Sequence, residues 1–80
     1  MRLPRDLTGA QLIRALAKLG YNATRQSGSH VRITCSHPAQ HHVTVPLHDP
    51  LRIGTLAAIL SVVAEAQGLT RDELQQKLLG

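Results

Sequence analysis

Phe and Trp do not occur in this 80-residue sequence, and Tyr21 is its one aromatic residue. The apolar core must therefore be built from Leu, Ile, Val and Ala. Cysteine is as scarce. Cys35 stands alone, which excludes an internal disulfide and leaves a thiolate zinc site without its usual donors. A reducing compartment is the simpler reading. Long hydrophobic runs are also missing: nothing approaches the roughly 20 apolar residues of a membrane span. The densest stretch, 56–66, is interrupted by Ser61 and Glu65. The opening Met1-Arg2-Leu3-Pro4-Arg5-Asp6 leads into no apolar h-region, so no secretion signal is read and the expected location is cytoplasmic. Carboxylates are the last scarcity. Five Asp and Glu face nine Lys and Arg, a net charge of +4. Such an excess on a small chain points to an anionic partner, nucleic acid first and an acidic protein second.

The length suits a single domain over residues 1–80, without room for another. A chain of this size buries only about 60% of its unfolded surface, so a modest core is expected. The 42% hydrophobic content is that of globular material rather than of a disordered tail.

Thr8 followed by Gln11 has the pattern of a capping box, and Leu12, Ile13, Leu16 and Leu19 recur at helical spacing. With Gly20 placed as a terminating glycine, a helix is predicted over 9–19, with Arg14 and Lys18 on its wet side. A short strand over 21–26 is broken by Ser27-Gly28-Ser29, a turn cluster. Strict alternation then sends Val31, Ile33 and Cys35 to one face and His30, Arg32, Thr34 and Ser36 to the other. A turn at His37-Pro38-Ala39-Gln40 precedes a third strand over 41–45, with Val43 and Val45 on the core side. Two prolines make Pro46-Leu47-His48-Asp49-Pro50 irregular. A second helix is predicted from Thr55, with Leu56, Ile59, Leu60 and Val63 on one stripe and Gly68 closing it. Thr70 and Glu73 form another capping box, opening a short last helix. The fold class that follows is α+β: a three-stranded antiparallel sheet with both main helices on one face, a two-layer sandwich with a C-terminal helical extension. The other sheet face stays open to water and carries His30 and Arg32.

That open face holds the candidate chemistry. His30 directly follows a glycine turn, whose backbone N–H groups suit a phosphate oxygen. Imidazole is suited to proton transfer near neutral pH. RNA cleavage needs a base for the ribose 2′-OH and positive charge beside the attacked phosphate. Arg32 is the natural charge partner of His30. On spacing alone, a plain surface role for His30 stays open. His37, His41, His42 and His48 lie close together, but they fall in turn and strand segments rather than on the helix that an i, i+4 zinc motif needs, and His41 and His42 point to opposite faces. Metal is therefore not expected. His48, pinned in its proline-framed loop, is a possible second proton carrier. Asp49 and the two turn serines read as turn residues, and Cys35 reads as a buried small hydrophobe.

Gly20-Tyr21, Gln26-Ser27-Gly28-Ser29-His30, Thr44-Val45-Pro46-Leu47-His48 and Gly54-Thr55-Leu56 with Ile59-Leu60 follow one another in an order that resembles the HicA (YcfA-like) toxins, over residues 8–78. The resemblance implies a fold like that of a double-stranded-RNA-binding domain, α-β-β-β-α. It implies metal-independent cleavage of mRNA as part of a toxin–antitoxin system, with no cofactor, and a HicB-type antitoxin as partner. It also implies that His30, the histidine of the Gly-Ser-His element, is the catalytic residue. On that view Arg25, Gly28, Ser29 and Arg32 would bind RNA and His48 would assist. Two readings remain beside it: a non-catalytic RNA-binding module on the same fold, and a protein whose task is to occupy an antitoxin.

Overall fold

The computed structural model describes residues 3–79. The elements run in the order α1 (Gly9–Ala17), β1 (Asn22–Ser27), β2 (His30–Cys35), β3 (His41–Pro46), α2 (Ile53–Gln67) and α3 (Arg71–Leu79). Both capping boxes form. The Gln11 amide donates to Thr8 Oγ1 at 3.1 Å while the Thr8 amide donates to Gln11 Oε1 at 2.9 Å. Glu73 and Thr70 repeat that reciprocal pair at 3.1 and 2.9 Å, and the Thr70 amide holds the Glu73 carboxyl below its ordinary range. Positive φ ends two helices as the glycines predict, with Gly20 at 94° and Gly68 at 70°. α1 stops two residues short of the predicted end, because residues 18–20 turn rather than continue. α2 begins at Ile53, before Thr55, with Arg52 at the cap position and no side-chain bond there.

The sheet is a meander in the order β1-β2-β3, antiparallel throughout. Alternation places Val31, Ile33 and Cys35 of β2 and Val43 and Val45 of β3 in the core. Leu12 and Leu16 of α1 join them, with Leu56, Ile59, Leu60 and Val63 of α2. The helices thus cover one face of β2 and β3. α3 is more than an extension. Leu74 and Leu78 are buried with the rest, so this last helix closes the apolar layer. Among the described residues no single helix is long and apolar enough to cross a membrane.

β1 is offset by one residue from the prediction and is exposed along its whole length, as an edge strand beyond the helices' reach. Tyr21 leaves the strand and enters the core, 1% exposed. The positive φ of Gly20 turns the chain there. The Tyr21 hydroxyl donates to His41 Nε2 at 2.6 Å and accepts from Gln67 Nε2 at 3.2 Å, while His41 Nδ1 donates to the Ala39 carbonyl at 2.7 Å. Tyr21→Phe should therefore cost about 1–3 kcal/mol, because it strands a part-buried imidazole nitrogen. Burial also pushes the Tyr21 phenol above its ordinary 10.0. A raised phenol favours the folded state while it stays protonated. That contribution is complete below about pH 10 and is lost as pH climbs through the raised value. Urea denaturation of parent and Tyr21→Phe at neutral and strongly alkaline pH should show the gap narrowing as pH rises. Equal midpoints at neutral pH would show that the hydroxyl contributes nothing.

Candidate functional site

Residues paired across antiparallel strands share a face, so the register gives the layout of the open side. Ser27, His30 and Pro46 form one row across β1, β2 and β3. Arg25, Arg32 and Thr44 form the next, and Asn22, Thr34 and His42 the third. The ladder slips between Ala23 and Arg25, a bulge that adds Thr24 to the third row. The pairs on the hairpin side of the slip run in unbroken register from Ser27–His30 to Arg25–Arg32.

His30 is held at the sheet's mouth by a firm surround. The loop joining β1 to β2 is only Gly28-Ser29, since Ser27 belongs to the ladder and pairs with His30. Gly28 has φ 58° and Ser29 does not have positive φ, the pattern of a type II′ hairpin turn. The Leu47 amide donates to the Ser29 carbonyl at 2.7 Å, tying this turn to the exit of β3. The Gly9 amide donates to the His48 carbonyl at 2.9 Å, so the start of α1 rests on the same loop. Gly9 was not a candidate in the sequence, yet a Cβ there would overlap the Pro46 carbonyl oxygen, directly beneath the His30 row.

Arg25, Ser27, His30, Arg32 and Thr44 line a depression of about 240 Å³ on the open face. It brings together three of the residues expected from the sequence and two that were not. Ser27, a turn residue by sequence, belongs to the ladder instead. Thr44 has the parity of His42 along β3, but only the register sets it beside Arg32. Gly28 and Ser29 lie exposed in the adjoining turn, outside the lining. His48 is exposed in the loop after β3 and contributes its carbonyl to α1, not its imidazole to the depression. A second hollow of about 430 Å³, between the α1 surface and Leu79, holds no histidine and no hydroxyl.

The electrostatics of this face are one-sided. Asp6, Asp49, Glu65, Asp72 and Glu73 all lie outside the three strands. Arg25 and Arg32 are cross-strand partners, an arrangement that repels in the absence of a counter-charge. Between them and His30 no carboxylate intervenes. Such a face is built for an anion. Among the described residues no three metal-binding side chains come together. The four other histidines are dispersed: His41 is turned to Tyr21, His42 lies on the open face, and His37 and His48 sit in separate loops.

The family model described as HicA toxin of bacterial toxin-antitoxin matches residues 9–64. That span runs from the first residue of α1 through most of α2 and includes every residue lining the depression. No curated protein and no solved structure matches the chain.

Proposed function

The chain belongs to the HicA toxin family of bacterial toxin–antitoxin systems, and from that premise we propose that it is a cytoplasmic endoribonuclease that cleaves mRNA without a metal ion, with His30 as its catalytic residue. The observation that carries this reading is the juxtaposition of an exposed imidazole with two guanidiniums that no carboxylate neutralises. The guanidiniums bind a phosphate; the imidazole, one row away, reaches the ribose beside it. His30 takes the proton from the 2′-OH, and the freed oxygen attacks the adjacent phosphorus. The bond from phosphorus to the 5′ oxygen breaks, and that oxygen takes up a proton from the imidazolium. The products are a 2′,3′-cyclic phosphate and a 5′-hydroxyl end. Arg25 and Arg32 stabilise the extra negative charge on the phosphate as the new bond forms. Ser27 and Thr44 offer hydroxyls to its remaining oxygens, and Gly28 keeps the neighbouring turn free of side-chain bulk. The neutralising partner is a HicB-type antitoxin that covers this open face.

Purified protein mixed with a single-stranded RNA should cleave it at the same rate with and without EDTA, as read by gel. A rate abolished by EDTA would overturn the metal-free mechanism. Arg32→Ala should weaken RNA binding and lower the slope of log affinity against log salt by about 0.7, the value for one phosphate contact to a single strand. RNA that is bound tightly but left intact would make the protein a binding module on the same fold instead.

A further inference from the structure

His42 occupies the third row of the open face, and the reaction just described makes no use of it. We propose that it is a second phosphate-binding group, gripping the RNA strand in its imidazolium form at a distance from the scissile bond; this rests on reading the open face as an RNA surface. His42 Nδ1 lies 2.8 Å from Thr34 Oγ1, which lies 2.7 Å from Thr24 Oγ1, and Thr24 Oγ1 lies 3.4 Å from the Arg32 carbonyl. A hydroxyl has one hydrogen to give. With His42 Nδ1–H donating to Thr34, Thr34 to Thr24 and Thr24 to the Arg32 carbonyl, each hydrogen of this relay has an acceptor. Protonating the other ring nitrogen leaves this chain intact. Nε2–H is then turned to solvent as a charged donor without a partner among the described residues.

The neighbouring histidine shows what the opposite arrangement looks like. His41 uses both ring nitrogens, donating from Nδ1 to Ala39 and accepting at Nε2 from Tyr21. His41 therefore has no ring nitrogen left for a ligand, whereas His42 keeps Nε2 free of any partner among the described residues. The bulge at Thr24 supplies the hydroxyl that anchors this row at β1.

Distance and charge suit the same ligand. Thr34 is four residues from His30 along β2, about 13 Å by strand geometry. A strand lying along β2 and β3 therefore spans both imidazoles, with Arg25 and Arg32 between them. The charged groups that face His42 are those two arginines on β1 and β2, with His30 beyond; no helix packs on this side and no strand carries a carboxylate.

The test separates binding from cleavage by working in the His30→Ala protein, which also removes that imidazole from any pH effect. Affinity for a single-stranded RNA is measured at matched salt near pH 6 and pH 8, where imidazole changes charge. The His30→Ala protein should bind roughly fivefold tighter at the lower pH, the scale of one exposed charge-assisted contact. Adding His42→Ala should remove that gain, and His42→Arg should give the tighter binding at both pH values. Circular dichroism checks that each variant is folded. A gain that survives His42→Ala, or a His42→Arg protein that binds no tighter at pH 8, overturns this proposal alone. Absence of RNA binding at either pH overturns the RNA surface as well.

Discussion

Substituting His30 by Ala should reduce RNA cleavage by about 10²–10⁴-fold, the usual contribution of general acid–base catalysis, while leaving RNA affinity near neutral pH almost unchanged. The two effects part because they arise from different atoms. In the proposed mechanism phosphate binding is spread over Arg25 and Arg32, together with hydroxyls of the same depression, whereas proton transfer falls on one imidazole. His30 is exposed at the first position of β2 and bonds to no other side chain among the described residues, so its truncation leaves neither a cavity nor an orphaned partner. Thermal stability should therefore stay within about 0.5 kcal/mol of the parent. In cells the same change should abolish growth arrest on expression without the antitoxin. A folded His30→Ala protein that cleaves at the parental rate would remove His30 from the mechanism and leave the face as a binding surface.

Gly9→Ala should be the most damaging single substitution relative to its size, at about 3 kcal/mol. A methyl group is ordinarily welcome at the first turn of a helix, since Ala is the better helix former by about 1 kcal/mol. Here the added Cβ would overlap the Pro46 carbonyl oxygen and press on the Leu47 backbone. Neither neighbour is a flexible side-chain end. Relief requires α1 to move away from β3, which weakens the bond from the Gly9 amide to the His48 carbonyl. It also disturbs the packing of Leu12 and Leu16, both 0% exposed. A thermal midpoint lowered by roughly 10–20 °C is expected for a domain of this size, read by circular dichroism. Cleavage at a temperature where the variant is still folded should fall too, because Pro46 is the cross-strand partner of His30. A midpoint equal to the parent's would mean that the helix start and the β3 exit are not packed as described.

How far the site was legible follows from which constraints are local. His30 and Arg32 could be placed on the open face from sequence, since side chains two apart on a strand point the same way and the intervening Val31 belongs inside. Arg25 could be named but not positioned. Its place opposite Arg32 depends on a two-residue loop that leaves Ser27 paired with His30, whereas the sequence reads a three-residue turn over Ser27-Gly28-Ser29. Ser27 was mistaken for a turn residue because serine next to glycine reads as a turn, whereas the two-residue loop leaves it in the ladder. Thr44 needed the pairing of β2 with β3. His48 looked anchored by its prolines, and the loop is indeed anchored, but through its backbone. The imidazole is not part of the depression.

The sequence by itself determined the kinds of element, their order and the identity of most core residues. Capping boxes, positive-φ glycines and two- or 3.6-residue periods all arise from the chain's own covalent geometry, and each is written within a few neighbouring residues. Tertiary structure decided the rest: the register that gathers Arg25, His30, Arg32 and Thr44, the burial of Tyr21 and of α3, and the approach that only Gly9 permits. It also decided the different fates of His41 and His42, adjacent in sequence and alike in chemistry, one locked against Tyr21 and one facing solvent from a row of hydroxyls. Those outcomes depend on which distant groups a side chain meets, and that is settled when the apolar layer packs rather than by any local pattern along the chain.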